Sequence, residues 1–132
     1  TLCRLSLKEI FAFHRARRAA LSLALTRGAR ADGGVITLGA GGRIVDFREK
    51  DKSAAEGFLS AGVYVASKEL SRFFPSVPAF SLEHDVFPSA IRSAPCFGFV
   101  TEELALDIGV PERYDEAIRR FTKPEGESNR TI

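Results

Sequence analysis

The 132-residue sequence contains no methionine, no tryptophan and only two cysteines, Cys3 and Cys96. So few cysteines exclude a disulfide scaffold, and their wide separation excludes the close ligand spacing of a zinc site. A reduced, cytoplasmic setting is therefore expected. Aromatic character comes mainly from eleven phenylalanines, which predict a phenylalanine-rich core.

Long hydrophobic runs and a large net charge are also missing. No apolar stretch approaches the ~20 residues that a membrane-spanning helix needs, so we expect no membrane partner. The net charge is only +2, which gives no reason to expect nucleic acid as a partner. The basic cluster HRARR at 14–18 has no interleaved aromatic residue and is typical of a solvated helix face.

Glycine-rich loops that bind nucleotide phosphates do not occur in the chain. Neither G-x-G-x-x-G nor G-x-x-x-x-G-K-[ST] is present. The segment GAGG at 39–42 is expected to be a hairpin turn, because it lies between two strand-like segments rather than between a strand and a helix. The sequence therefore lacks the strand and phosphate loop with which a complete nucleotide-binding α/β domain usually begins.

Short apolar segments predict the strands, and two of them are almost continuously apolar, as in parallel sheets covered on both faces. Two pairs of segments flank short turns, GAGG and TEE, and are expected to form hairpins. The predicted strands are 20–26, 35–38, 43–50, 58–66, 96–100 and 104–108.

Capping residues mark the predicted helices between these strands. Ser6, Ser67 and Ser81 are the expected caps of three helices, and Pro111 suits the first turn of a fourth. Pro88 is expected to kink or restart the third helix. The order of elements predicts an α/β protein with a mixed sheet. Apolar periodicity predicts that the first helix buries Leu7, Ile10, Phe11 and His14, and the last one Tyr114, Ala117, Ile118 and Phe121.

Asp107 is the first residue that suggests chemistry, because it stands where an apolar strand ends. Ligand sites of open α/β sheets form at the carboxyl ends of strands. A carboxylate there suits Mg²⁺, which takes one or two protein carboxylates and completes its shell with phosphate oxygens and water. The alternative is that Asp107 caps the turn before the last helix, and the local pattern leaves both interpretations open.

Five further residues each have a binding and a structural interpretation. Glu49 and Lys50 end a predicted strand, where a lysine can contact a phosphate or join a solvated ion pair. Ser60 and Gly62 lie within a strand, where small residues leave room for a flat ligand such as a sugar ring or for close packing. Glu83 can accept hydrogen bonds from sugar hydroxyls or serve the helix dipole.

Four motifs in this order resemble the second half of the sugar-1-phosphate nucleotidyltransferases. The family patterns are approximately F-x-E-K, N-x-G-x-Y, S-x-E-x-D-x-x-P and D-I-G-T-P-x-x-Y. The chain is most similar in character to the bacterial guanylyltransferases that act on mannose 1-phosphate or heptose 1-phosphate, and the resemblance covers about residues 2–121. The matching segments are DFREK, FLSAGVYV, FSLEHDVFPSAI and LALDIGVPERYDEAIRRF.

The resemblance implies a Rossmann-like α/β/α nucleotidyltransferase fold with a mixed sheet. Residues 1–121 would be its carboxyl-terminal, sugar-binding portion, and 122–132 a polar, disordered tail. The N-terminal nucleotide-binding half, with its glycine-rich loop and N-G-D aspartate, would be lacking, so this chain alone is expected to be inactive. In the intact enzyme a sugar 1-phosphate would attack a nucleoside triphosphate, by similarity GTP, and release pyrophosphate.

The resemblance also implies roles for the six residues singled out above. Lys50 and Asp107 would take part in catalysis, with Lys50 on the sugar phosphate and Asp107 on Mg²⁺. The sugar would contact Glu49, Ser60, Gly62 and Glu83. A serine at 60 where the family has asparagine, and Val110 where it has threonine, keep one alternative open. The domain would then be a non-catalytic sugar-phosphate-binding or subunit-interaction module, and an oligomer is compatible with either.

Overall fold

The computed structural model describes residues 2–3, 5–27, 35–48, 57–102, 105–106 and 111–121. Short 3₁₀ segments occur at Ala40–Gly42 and Lys68–Phe73, and a π-helical turn at Leu82–Val86. No helix in these ranges has the length and apolar character to cross a membrane. The strands and α-helices are β1 (Leu2–Cys3), α1 (Leu7–Ala16), β2 (Leu21–Arg27), β3 (Val35–Leu38), β4 (Ile44–Arg48), β5 (Phe58–Ala66), α2 (Phe87–Ser93), β6 (Cys96–Val100), β7 (Ala105–Leu106) and α3 (Pro111–Phe121).

Five strands form one mixed sheet in the order β4-β3-β5-β2-β6. Strands β2 and β6 are parallel, with Leu21 opposite Cys96, and the other neighbours are antiparallel. The first five residues of β2 are all buried, which is why this strand has an almost continuous apolar sequence. The predicted mixed α/β architecture is therefore confirmed.

The hairpin predicted around the TEE turn is wrong. Strand β6 runs parallel to β2 at the edge of the large sheet, whereas β7 pairs antiparallel with β1, with Leu2 opposite Leu106. No sequence pattern predicted β1, because a strand of two residues is too short to show periodicity. The end of β7 thus belongs to a separate two-stranded sheet.

The core lies on both faces of the large sheet. On one face Ile10 of α1 packs with Ala24 and Ala61. On the other, α2 and the β3–β4 hairpin cover the leucines of β2, and Phe87 of α2 is fully buried among them. Cys96 is a free thiol in the same cluster, and burial raises its pKa to about 11. Helices on both faces of the sheet give the layered arrangement that the family resemblance implied.

The predicted apolar face of α1 is partly wrong. His14 is buried, with its ring Nδ1 2.9 Å from Ser22 Oγ on β2, and Ile10 is also buried. Leu7 and Phe11, however, are 68% and 54% exposed. The helix contacts the sheet through Ile10 and His14, one turn apart, and through Phe13, whose ring centroid lies 5.3 Å from that of Phe99 on β6. Leu7 and Phe11 lie on the other flank of this line and face away from the sheet.

A similar correction applies to the described side chains of α3. Ala117 is buried as predicted, whereas Tyr114 is 52% and Ile118 44% exposed. The side chain of Phe121 lies outside the described residues.

The predicted caps and helix boundaries are mostly confirmed. Ser6 Oγ accepts a hydrogen bond from Glu9 N at 3.3 Å at the start of α1. Helix α2 begins at Phe87, directly before Pro88, where a restart was expected. Ser67 stands at the N-cap position of its 3₁₀ segment without a side-chain cap bond.

The GAGG segment is a hairpin turn between β3 and β4, as predicted. Gly41 and Gly42 have φ of 68° and 77°, a region that glycine enters without steric cost. The Arg17 side chain at the end of α1 donates a hydrogen bond to the Gly41 carbonyl oxygen. Its guanidinium also lies 4.6 Å from the Phe13 ring and 5.1 Å from the Phe97 ring. The Arg17 side chain therefore lies against this turn and hydrogen-bonds to its backbone.

Candidate functional site

Strand β5 is irregular where two predicted site residues lie. Leu25 of β2 pairs with Ser60, and Leu23 with Tyr64, so three residues of β5 oppose one residue of β2. Gly62 lies within this bulge with φ of 74°, a conformation that other residues rarely adopt. The glycine thus permits the bulge, whatever room it also leaves for a ligand.

A chain of hydrogen bonds links the bulge to a carboxylate. Gly62 N donates to Ser60 Oγ at 3.2 Å, and Ser60 Oγ donates to Tyr64 Oη at 3.4 Å. Tyr64 Oη donates to Glu83 Oε1 at 2.5 Å. The three described residues that were predicted to contact the sugar are therefore brought together around Tyr64. We call these four residues the Tyr64 cluster.

Glu83 is held in place by the π-helical turn that precedes α2. Ser81 Oγ accepts from His84 N at 3.3 Å, and Ser81 N donates to Asp85 Oδ2 at 2.7 Å. This reciprocal pair closes the start of the turn, as in a capping box. The turn presents Glu83 as an exposed side chain, so its carboxylate can contact a ligand as well as Tyr64.

The Tyr64 ring is fixed by the core below it. It packs edge-on against Phe87, with the ring centroids 5.1 Å apart and the planes at 86°. Burial and the neighbouring Glu83 carboxylate raise the pKa of Tyr64 to about 12. Tyr64 is therefore a protonated hydrogen-bond donor at neutral pH.

The raised pKa of Tyr64 predicts a loss of stability at high pH. The ordinary pKa is 10.0, so the unfolded chain gives up this proton at lower pH than the folded chain. The contribution to the free energy of unfolding is fully present below pH 10.0 and is lost as pH rises towards about 12. Tyrosinate absorbance in the near ultraviolet follows this titration directly.

The chain offers a matched control, because it has only two tyrosines. Tyr64→Phe should remove the absorbance step near pH 12, and Tyr114→Phe should retain it. Loss of the same step in both variants would show that the high pKa does not belong to Tyr64.

Three predicted site residues, Glu49, Lys50 and Asp107, lie outside the described residues, and their roles stay predictions. The structure describes the residues just before them, Arg48 at the end of β4 and Leu106 at the end of β7. Over the described ranges, no group of three or more histidine, cysteine or acidic residues is placed to hold a metal ion.

The backbone register brings the end of β4 level with the Tyr64 cluster. Arg48 pairs with Val35, and Val35 pairs with Leu59, the residue before Ser60. Neighbouring strands lie about 4.8 Å apart, so Arg48 is roughly 10 Å from β5 across the sheet. Strand β4, which leads to Glu49, therefore ends at the same end of the sheet as Ser60 of the cluster.

Sequence reasoning missed the role of Tyr64. The residue is part of the N-x-G-x-Y pattern, but no function was assigned to it. The signal was present, because residues 60, 62 and 64 alternate as one face of a strand does. A tyrosine hydroxyl on the same face as a serine and a glycine is a candidate hydrogen-bond donor at that face.

Comparison with protein families and curated relatives gives consistent results. The family model described as nucleotidyl transferase matches residues 1–124. D-glycero-alpha-D-manno-heptose 1-phosphate guanylyltransferase from Aneurinibacillus thermoaerophilus is 31% identical over 119 residues, 89% of this chain and 50% of the relative. Mannose-1-phosphate guanylyltransferase from Mycobacterium tuberculosis is 30% identical over 82% of this chain and 31% of the relative. The chain thus spans half the length or less of these relatives.

Solved structures share the fold. HddC from Yersinia pseudotuberculosis superposes with a TM-score of 0.72 at 24% identity, covering 91% of this chain and 51% of that one. A second HddC structure contains GMP-PN. A Bacillus anthracis structure described as a putative glucose-1-phosphate thymidylyltransferase gives 0.78 at 10% identity, covering 96% and 53%. The Rossmann-like nucleotidyltransferase fold expected from the sequence is therefore confirmed.

Proposed function

This chain belongs to the nucleotidyl transferase family, and we propose that it supplies the sugar-phosphate-binding part of a cytoplasmic sugar-1-phosphate guanylyltransferase. In the proposed reaction a phosphate oxygen of mannose 1-phosphate or heptose 1-phosphate attacks the α-phosphorus of GTP. A new P–O bond forms, the bond to the β-phosphate oxygen breaks, and pyrophosphate leaves. The names of two curated relatives support guanylyl transfer.

The observation that carries this proposal is the Tyr64 cluster. Glu83 accepts one hydrogen bond from Tyr64, and a carboxylate has further lone pairs for the hydroxyl donors of a sugar. The Tyr64 hydroxyl holds the carboxylate in one orientation, and the edge-on contact with buried Phe87 holds the tyrosine. Such a prearranged acceptor lowers the entropic cost of orienting a flexible polar ligand.

The end of β4 supports a place for the phosphate next to this acceptor. Because Arg48 is level with Leu59 across the sheet, β4 ends at the same end of the sheet as Ser60 of the cluster. We propose that Lys50 contacts the phosphate of the substrate and Glu49 its sugar. A lysine suits a phosphate as a compact point charge.

Mg²⁺ is the proposed cofactor, and Asp107 its proposed ligand. The ion, when bound, would neutralise charge on the phosphates during the transfer. Because these 132 residues contain no glycine-rich phosphate loop, we propose that the nucleotide is bound by another part of the enzyme. The 132 residues alone should then bind the sugar phosphate without releasing pyrophosphate from GTP.

Glu83→Gln tests the role of the cluster. Glutamine keeps an acceptor for Tyr64 but removes the charge, so we expect mannose 1-phosphate to bind about tenfold more weakly. Titration calorimetry on the 132-residue chain measures the affinity. Glu9→Gln, an exposed acid in the first turn of α1, is the matched control and should bind like the parent. Equal affinity of Glu83→Gln and the parent would remove Glu83 from the site.

A further inference from the structure

A cavity of about 440 Å³ lies at the end of the sheet where β2 begins and β5 ends. Its walls include Ala20 just before β2, Ser67 just after β5 and Pro95 just before β6. In the register of β2 and β5, Leu21 pairs with Ala66, whereas Leu25 pairs with Ser60. Four residues of strand therefore separate Leu21 from the partner of Ser60, roughly 13 Å, and two residues separate it from Leu23, the partner of Tyr64. None of the four residues of the Tyr64 cluster lines the cavity.

Positive charge dominates this cavity. Arg15, Arg18 and Arg72 line it, and Glu69 is the one carboxylate among its lining residues. Within the described ranges no carboxylate lies within 4.0 Å of any of the three guanidinium groups. The basic cluster at 14–18, which its sequence predicted to be a solvated face, thus contributes two arginines to a concave surface.

The three arginines are not needed as hydrogen-bond donors to the backbone carbonyl groups at the end of α1. The carbonyl oxygens at the end of α1 already accept hydrogen bonds, His14 O from Ala19 N and Arg15 O from Arg18 N, both at 3.1 Å. Arg18 itself has φ of 47°, which is uncommon for a residue other than glycine. Arg18 is the first residue after the C-cap of α1, and the two hydrogen bonds just named form a Schellman motif, so the helix end itself accounts for this conformation.

The remaining lining residues indicate the kind of anion. Ser93 provides a hydroxyl group, and Phe73 provides an apolar wall. The Glu69 carboxylate already accepts a hydrogen bond from the Ser67 side chain and has further lone pairs for ligand hydroxyls. The volume is in the range of small-molecule sites, which are typically 300 Å³ or more, and exceeds what a bare phosphate would fill. We propose that this cavity binds the phosphate monoester of a small hydroxylated molecule, at a site separate from the Tyr64 cluster.

Nuclear magnetic resonance of the ¹⁵N-labelled chain tests the proposal. Glucose 6-phosphate should give saturable shifts of the Nε–Hε signals of Arg18 and Arg72 and leave the Gly62 amide signal unchanged. Inorganic phosphate should shift the same arginine signals with lower affinity, and glucose should shift none. A shift of the Gly62 amide without the arginine signals would place the ligand at the Tyr64 cluster and overturn the proposal.

Charge variants distinguish a specific binding site from non-specific electrostatic attraction. Arg18→Gln and Arg72→Gln should each weaken glucose 6-phosphate binding about tenfold, since each removes a charge-assisted hydrogen bond. Lys8→Ala removes the same unit of charge at the other end of α1 and should leave the affinity unchanged. Circular dichroism confirms that each variant is folded. Equal weakening by all three changes would show non-specific attraction and overturn the proposal.

Discussion

Replacing Phe87 by alanine should lower the free energy of unfolding by about 3–5 kcal/mol, the usual range for a buried phenylalanine. The side chain is fully buried in the larger core cluster. It makes edge-on contacts with Tyr64 at 5.1 Å and with Phe47 at 6.1 Å. Alanine would leave a cavity between α2, β4 and β5 that these neighbours can fill only partly.

Urea unfolding measures this loss, and Phe11→Ala is the matched control. Phe11 lies on α1 and is 54% exposed, so the same substitution there should change the free energy of unfolding by less than about 1 kcal/mol. The contrast depends on burial alone, because both changes remove the same atoms. Similar losses in the two variants would contradict the position given to α2 over the sheet.

Changing Asp107 to asparagine should lower pyrophosphate release by about a hundredfold or more, in a form of the protein that catalyses the transfer. Asparagine keeps the shape of the side chain but removes the charge that would hold Mg²⁺. Charge stabilisation by such an ion is worth several kcal/mol, and about 1.4 kcal/mol corresponds to tenfold in rate. The loss should be partly recovered at higher Mg²⁺ concentration.

Asp115→Asn provides the comparison for this substitution. Asp115 is exposed on α3, and its change should leave the rate of pyrophosphate release unaltered. If Asp107→Asn also keeps the parental rate, the capping interpretation of Asp107 is favoured and the proposed Mg²⁺ ligand is lost.

Elements with a strong local pattern could be predicted closely from the sequence. Strand β5 spans Phe58–Ala66 as expected, because its apolar residues are bounded by polar segments. The cap of α1 at Ser6 and the restart of α2 at Phe87 also follow from local chemistry, a hydroxyl acceptor in one case and a proline in the other.

Elements that depend on distant partners could not be predicted. The pairing of β1 with β7 joins Leu2 to Leu106 through two residues on each side, too few to show a period. Helical periodicity placed Leu7 and Phe11 beside Ile10 and His14, but only contact with β2 decides which of them face the sheet. The hairpin expected around TEE failed for the same reason, because β6 has its partner in β2.

The candidate site likewise combines residues that local motifs predict with contacts that only the fold creates. Motifs identified Ser60, Gly62 and Glu83 separately, whereas the hydrogen bonds through Tyr64 join them in the folded chain. Tyr64 and Glu83 are 19 positions apart in the sequence, so no local pattern relates the two. The bulge at Gly62, which shifts the register of β5 against β2, is likewise a property of the strand pair rather than of one strand.

The most direct test of the central proposal is to follow the mannose 1-phosphate titration residue by residue in the ¹⁵N-labelled chain. We predict saturable shifts of the backbone amide signals of Ser60, Gly62 and Glu83, and none of these shifts when GTP is added alone. Gly62 is the most informative reporter, because its amide donates to Ser60 Oγ. Saturable binding of mannose 1-phosphate that leaves all three amide signals unmoved, or no binding at all, would contradict the proposal.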